Sequence, residues 1–259
     1  MDFSKPYTVT VPSGNVPIFI VDKDGAESAF SLMGTVAKAK VAIRIGGGCK
    51  GMSRDDKDNM LSFFSTTFSG YRGVVWSGGT RQVTDGMIDP MVTEVPGIIM
   101  EENPDCVAIG TIPRTDNLRL VEDSRLVLDG YGTAPNVSQR GLLIVQDGAD
   151  GNLDWNGDVD RYIGIMDKWS KHGGFSAIGL ITWNGGPVTW EEIDKVAKKK
   201  WPVILVEGTG RVTDETIAKI RDGYNGLPDY FKGEHVIIVP KDNPEILRGV
   251  LMGEGFFPE

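Results

Sequence analysis

From Val41 onward the chain repeats one pattern: a short run of β-branched and aliphatic residues, a glycine turn, then a stretch with helical spacing. The runs fall at Val41 to Ile45, Gly73 to Trp76, Cys106 to Ile109, Gly141 to Val145, Ser176 to Trp183, Pro202 to Val206 and His235 to Val239. Apolar runs of this kind fit strands buried on both faces, and parallel strands need a long crossover that a helix supplies. The alternation predicts an α/β fold: a doubly wound, mainly parallel sheet of about seven strands with helices on both faces and right-handed crossovers.

The helices carry start signals. Ser53 caps a helix with Met60, Leu61, Phe64 and Phe68 on its apolar face, and Asp158 caps one with Val159, Tyr162, Ile163, Met166 and Trp169. Thr189 and Glu192 have capping-box spacing before Ile193, Val196 and Ala197, and Thr213 precedes Ile217 and Ile220. Asp242 or Asn243 before Pro244 starts the last helix. The segment after Trp76 is the least regular, because Pro90 and Pro96 fall inside the expected helix. Residues 1–35 carry TVTV and PIFIV around Ser13-Gly14, which reads as an added hairpin at the sheet edge. Residues 111–140 form a polar insertion with a second hairpin over Leu118 to Val121 and Arg125 to Leu128. With no linker-like shift and no internal repeat, one domain spanning 1–259 is expected, its core over about 38–252.

Composition narrows the partners. The chain has 27 basic and 36 acidic residues, a formal charge of −9, which argues against nucleic acid as a ligand. Two cysteines, Cys49 and Cys106, cannot make a disulfide framework, so a reducing, cytoplasmic setting is the simplest expectation. Neither a signal-peptide pattern nor an apolar run long enough to span a bilayer is present in the sequence, so no membrane association is expected.

Four predicted strands run straight into glycine turns: Gly46-Gly47-Gly48, Ser77-Gly78-Gly79-Thr80-Arg81, Gly185-Gly186-Pro187-Val188-Thr189 and Glu207-Gly208-Thr209-Gly210-Arg211. In a parallel sheet all four lie on the carboxyl edge, where open α/β folds bind ligands. Glycines let a ligand approach backbone N–H groups, and a following helix N-terminus favours an anion. Arg81 and Arg211, immediately after two of the turns, offer planar forks to phosphate oxygens. None of the turns is a GxGxxG fingerprint in the right place, and GxxxxGK[ST] is absent.

RIGGGCKGM, VVWSGGTRQVTDGM, LLIVQDGADG, ITWNGGPVTWEEI and PVILVEGTGRVTDETI occur in an order and spacing that resembles the SLOG superfamily. The likeness is to the branch shared by prokaryotic proteins and the cytoplasmic N-terminal region of TRPM cation channels, the LSDAT type, and covers roughly residues 38–222. It implies a Rossmann-like domain that binds or senses a nucleotide-derived small molecule of the ADP-ribose or cyclic ADP-ribose type. Carried over by position, Gly47, Gly78, Gly79, Thr80, Gly186, Gly208, Gly210 and Arg211 would contact phosphates or riboses. Together with Gly48, Arg81, Gly185, Thr189 and Thr209 from the turns, they form the expected ligand-binding set. Channel function does not transfer without a transmembrane segment, and the single-strand-binding branch fits the charge poorly. No cofactor is expected.

The same superfamily contains cytokinin-activating phosphoribohydrolases, whose signature is PGGxGTxxE. Here the segment reads Asn184-Gly185-Gly186-Pro187-Val188-Thr189-Trp190-Glu191-Glu192, with Asn184 for the proline and Val188 for a glycine. Glu192 keeps the acid's position, so it is the catalytic candidate of the alternative, a nucleoside 5′-monophosphate phosphoribohydrolase. Its other reading is a partner of Thr189 in the capping box. Those enzymes also suggest a homodimer.

Other chemistry is weaker. Asp147, Asp150, Asp154, Asn156, Asp158 and Asp160 miss EF-hand spacing, since Val159 and Ile165 replace the glycine and glutamate, and they read as a polar loop. His172 and His235 have no second ligand at metal spacing, so no metal is expected. Trp76, Trp155, Trp183 and Trp190 are core lids or base-stacking platforms, with Trp183 and Trp190, flanking one turn, the preferred platforms.

Overall fold

In a computed structural model of the chain, the seven predicted strands lie side by side in one sheet. They are β3 (Val41–Gly48), β4 (Val74–Gly78), β7 (Val107–Pro113), β11 (Gly141–Gln146), β12 (Ala177–Asn184), β13 (Val203–Glu207) and β14 (Val236–Pro240). The structure describes residues 7–11, 14–22, 39–84, 87–113, 115, 118–121, 125–128, 133–135, 141–146, 157–172 and 175–257. The N-terminal hairpin, β1 (Tyr7–Val11) and β2 (Gly14–Asp22), extends the sheet to nine strands in the order β1-β2-β11-β7-β4-β3-β12-β13-β14. Every pairing in it is parallel except β1 with β2. This is the expected Rossmann-like α/β architecture.

The insertion hairpin is also present, as β8 (Leu118–Val121) against β9 (Arg125–Leu128). The irregular segment after Trp76 forms β5 (Thr80–Thr84) and β6 (Met87–Asp89), which pair with β10 (Thr133–Pro135) in a small antiparallel sheet.

Among the described residues six helices cover the faces: α1 (Arg54–Thr67), α2 (Val95–Glu102), α3 (Asp158–His172), α4 (Pro187–Lys198), α5 (Arg211–Arg221) and α6 (Pro244–Gly253). Met60, Phe63, Phe64, Val95, Ile99, Leu247 and Leu251 place α1, α2 and α6 on one face, with Val41, Ile43 and Ile45 of β3. Val159, Tyr162, Ile163, Met166, Ile193, Val196 and Ile217 place α3, α4 and α5 on the other, with Ala42. Because side chains alternate along a strand, Arg44 falls on the Ala42 face, beneath α3 and α4.

Three expected helix starts shift. Pro187, not Thr189, opens α4; the N-cap is Gly186, and Thr189 sits at the third helical position with Oγ1 accepting the Gly186 N–H at 3.3 Å. Proline suits the first helical position because its missing N–H is not needed there. The Thr189–Glu192 capping box therefore does not form, and Glu192 belongs to the helix interior. Likewise α5 starts at Arg211 behind Gly210, so Thr213 is not its cap, and α3 starts at Asp158 itself. Ser53 and Asn243 are caps as read, Ser53 through a reciprocal box with Asp56.

Candidate functional site

The sheet order reverses between β3 and β12: after β3 the chain winds outward through β4, β7 and β11, then returns to lay β12 on β3's other side. The helix after β3 covers one face and the helix after β12 the other, which leaves a crevice at the carboxyl ends of both strands. The β3/β12 ladder runs to the tip, setting Trp183 opposite Gly47 and Asn184 opposite Gly48. A Cβ on Gly47, whose φ is +141°, would lie 2.1 Å from the Trp183 carbonyl oxygen, so the close approach of the two strands depends on glycine there.

Two cavities flank this junction. The first, on the α1 and α6 side, has a volume of about 600 Å³ and is lined by the turn after β3, by α1, by Trp183 and Asn184, by Gly208 to Arg211 and by Lys241 to Pro244 around the start of α6. The second, on the α3 and α4 side, is about 380 Å³ and is lined by β3 residues Arg44 to Gly47, by Gly78 to Thr80, and by the starts of α3 and α4.

At the first cavity the turn after β13 is tied down from within. Asp214 accepts the N–H groups of Gly208 and Gly210, each at 2.8 Å. That carboxylate occupies the place at the α5 N-terminus where an anion would sit. Thr209 Oγ1 accepts the Asn184 N–H at 2.9 Å and donates to the Val206 carbonyl, while Thr213 Oγ1 donates to the Asn184 carbonyl at 2.7 Å. Asn184, at φ +59°, is thereby clamped by its neighbours in a left-handed conformation that asparagine tolerates.

Three cations line this cavity. Arg211 is exposed at φ +47°, and it, Lys50 and Lys241 have no ion-pair partner among the described residues. Two of the carboxylates around them are already engaged: Asp214 by the turn, and Asp56 by the Ser53 N–H and hydroxyl, which hold its carboxyl below the usual range. Trp183 Nε1 and Asn184 Oδ1, a buried donor and a buried acceptor on adjacent residues of the lining, have no hydrogen-bond partner among the described residues.

At the second cavity the central feature is an ion pair with both partners buried, Arg44 at 4% and Glu192 at 2% exposure. Arg44 donates from Nε (2.8 Å) and approaches from Nη2 (2.6 Å), both to Glu192 Oε1. Its guanidinium carbon lies 3.7 Å from the Tyr162 ring centroid, a cation–π stack that fixes the plane of the fork. Burial, then the Glu192 charge, push the Tyr162 hydroxyl far above its ordinary range. Asp158, at the first turn of α3, is pushed up to about 6 chiefly by burial, against the pull of Arg161 and Arg44. Among the described residues Arg44 Nη1 has no hydrogen-bond partner, and Asp158 Oδ1 has only its ion-pair contact with Arg161 at 3.6 Å.

The expected binding set is thus split rather than gathered. Gly47, Gly78, Gly79 and Thr80 line the second cavity, while Gly208, Thr209, Gly210 and Arg211 line the first. Gly48 and Gly185 face each other across the junction, and Gly186 lies beneath the Arg211 guanidinium. Thr189 is buried, closing its own turn. Arg81 is not presented to a ligand by a helix N-terminus, because β5 follows its turn; its fork pairs with Glu94 at 3.1 and 2.8 Å. Glu192 faces the second cavity as Arg44's partner.

Of the aromatic candidates, Trp183 packs on Phe63 and Phe64 and lines the first cavity. Trp190 instead stacks on Phe231, with Lys219 over its ring, and Trp76 is fully buried with Nε1 donating to Thr111 Oγ1. His235 contacts the Ala197 carbonyl. Trp155, the His172 side chain and Asp147, Asp150, Asp154 and Asn156 lie outside the described residues. Among the described residues no helix is long and apolar enough to cross a membrane.

Arg44, Lys50 and Lys241 are site residues that the sequence motifs do not single out. Arg44 had a signal: one charge inside the apolar run VAIRI has to be paired or face a polar cavity. Lys50 and Lys241 sit just past strand ends, as Arg81 and Arg211 do.

No family model matches the chain, and no curated protein does. The fold is shared with solved structures. The X-ray structure of TM1055, a structural genomics target, matches with a TM-score of 0.52 and 19% identity, over 83% of this chain and 99% of that one. The molybdenum cofactor carrier protein MCP from Chlamydomonas reinhardtii matches with a TM-score of 0.46 and 14% identity, over 83% and 97% of the two chains. At such identities the likeness to TM1055 speaks for the α/β fold alone.

Proposed function

We propose that this chain binds a nucleotide-derived small molecule in the first cavity, as the resemblance to the TRPM-like SLOG branch implies, with ADP-ribose or its cyclic form the model ligand. The observation that carries this reading is the set of three cations, Lys50, Arg211 and Lys241, that line the cavity without an ion-pair partner among the described residues, in a chain of net charge −9. Unspent charged donors in a concave site favour phosphate oxygens. Because Asp214 holds the turn's N–H groups, side chains and not the glycine backbone supply the anion contacts, and Arg211 is the principal one. The free donor of Trp183 and acceptor of Asn184 suit the edge of a heteroaromatic base or a carboxamide. A volume near 600 Å³ is within the roughly 300–1,000 Å³ of small-molecule sites.

Binding without turnover fits better than the phosphoribohydrolase alternative. Glu192 Oε1 already accepts Arg44 Nε and lies 2.6 Å from Nη2, and a Cβ on Gly46 would lie 2.5 Å from Oε2. A carboxylate so enclosed is poorly placed to activate water or face a ribose carbon. Val188, 59% exposed, adds a side chain where the hydrolase signature has glycine. Chromatography of adenosine 5′-monophosphate and ADP-ribose incubated with the protein should return both intact. Robust adenine release that Glu192→Gln abolishes would establish the enzyme reading instead.

A further inference from the structure

The chain carries a formal charge of −9, yet the amino ends of its central strands are basic. Lys168 and Lys171 of α3, Lys198 at the end of α4, Lys199 and Lys200 just beyond it, and Lys40 before β3 all lie at that end of the sheet, and all but Lys168 are exposed. The Lys40 carbonyl accepts the Ser176 N–H at 2.6 Å, which ties it to the start of β12, and Lys199 Nζ reaches across to Asp167 of α3 at 2.8 Å. Asp167 is shared with Lys171 at 2.6 Å, and Lys200 Nζ donates to the Tyr230 carbonyl. Lys40, Lys168, Lys198 and Lys200 have no ion-pair partner among the described residues. Trp201, half-buried against the core, stands beside them with Lys199 Nζ 5.2 Å from its ring centroid.

Helix dipoles account for part of this. Cations in the last turn of a helix offset the negative end of its dipole, which suits Lys171 and Lys198. Lys40 and Lys200 belong to no helix. Lys200 stands at φ +61°, the left-handed position just past α4 that glycine fills at least cost, so a lysine occupies a place where the backbone favours glycine. The partner that such a surface fits is acidic and compact. Exposed charges act over about a Debye length, roughly 8–10 Å, so a short acidic segment laid on the lysines meets them and little of the negative remainder. An extended nucleic acid or a flat anionic bilayer meets the whole body with its charge of −9. The cations here are lysines, compact point charges without the fork through which arginine grips phosphate.

We propose that the lysine surface at the ends of α3 and α4 docks an acidic segment of a partner protein, with Trp201 as its aromatic contact. A half-buried tryptophan supplies the amphipathic anchor that protein interfaces favour. Both cavities lie at the opposite, carboxyl ends of the strands, so the partner can stay bound while they fill and empty. The surface is independent of the nucleotide reading.

Fluorescence anisotropy of a labelled peptide of glutamates around a single phenylalanine tests it at low salt, with the matching glutamine peptide as control. The glutamate peptide should bind saturably and the glutamine peptide should not, and binding should fall steeply as salt rises to about 0.2 M. Lys40→Glu with Lys198→Glu reverses two charges that hold no partner in the fold, so the double variant should keep its melting temperature and bind about tenfold more weakly. Lys200→Gly should melt higher than the wild type, because it relieves the left-handed lysine, and still bind the peptide more weakly. Arg211→Ala should bind the peptide as the wild type does, and the double variant should titrate with ADP-ribose as the wild type does, so this proposal and the nucleotide reading fail separately. No saturable binding of the glutamate peptide, equal binding of the glutamine peptide, binding that survives the double reversal, or loss in Arg211→Ala would overturn the proposal. Tighter binding of single-stranded DNA or of phosphatidylserine vesicles than of the peptide would assign the surface to another class of partner and overturn it as well.

Discussion

Arg44, inside strand β3, and Arg211, the first residue of α5, each line one of the two cavities, yet the protein uses them in opposite ways. Arg211, on the α5 side of the first cavity, is exposed, and the carboxylate beside it, Asp214, is spent on backbone N–H groups instead of on the arginine. Arg44 is enclosed, its charge neutralised within the protein and its plane fixed by an aromatic ring. Exposed cations pay little to remain unpaired and keep their charge for a ligand, whereas a buried cation must be matched before any ligand arrives. The first cavity therefore keeps its charge exposed, and the second encloses charge that is already matched.

The largest expected effect falls on the buried pair. Glu192→Ala leaves the Arg44 charge enclosed without its partner and should cost about 3–5 kcal/mol in urea unfolding. Glu192→Gln, which keeps volume and one acceptor, should cost less. A loss under about 1 kcal/mol for the alanine variant would mean that Arg44 reaches water and would erase the contrast with Arg211. This cost also makes Glu192→Ala a poor probe of catalysis, since lost activity would follow from lost fold.

Asp158 sharpens the comparison through pH. Its folded value of about 6 stands above the ordinary 3.8, with burial as the main cause. Between those values the native state keeps a proton that the unfolded chain has released, so Asp158's contribution to stability is full below about pH 4 and lost as pH rises through about 6. Asp158→Asn removes that loss and should raise stability at pH 7 by about 3 kcal/mol, with the gain vanishing near pH 4. Urea titrations of both proteins across this range check the sign. A variant less stable than wild type at pH 7 would show that the pairing with Arg161 and Arg44 outweighs burial.

The architecture was legible because seven apolar runs separated by helical spacing leave few alternatives to a parallel sheet, and the two hairpins followed from alternation around turns. The site was legible only as an edge. Four glycine turns identify the carboxyl ends of strands, but the face that each turn opens onto depends on which side its helix packs, and that is set by strand order. So Gly47 and Gly79 separate from Gly208 although all follow parallel strands. The Thr189–Glu192 capping box fails for a local reason: Pro187 starts the helix three residues earlier than a Thr189 cap would, turning both side chains inward. At Arg81 β5 takes the place of the expected helix, and Glu94, thirteen residues on, pairs with its guanidinium.

The central claim, that Arg211 supplies the phosphate contact of the first cavity, is tested most directly by calorimetric titration of ADP-ribose into the wild type, Arg211→Ala and Arg211→Lys, with melting temperatures as a folding control. A charge-assisted hydrogen bond is worth about 1.5–3 kcal/mol, so the alanine variant should bind roughly ten- to a hundredfold more weakly. Lysine should recover only part of the loss, because it keeps the charge without the two-pronged geometry. Equal affinities across the three proteins, or no binding by the wild type, would contradict the account.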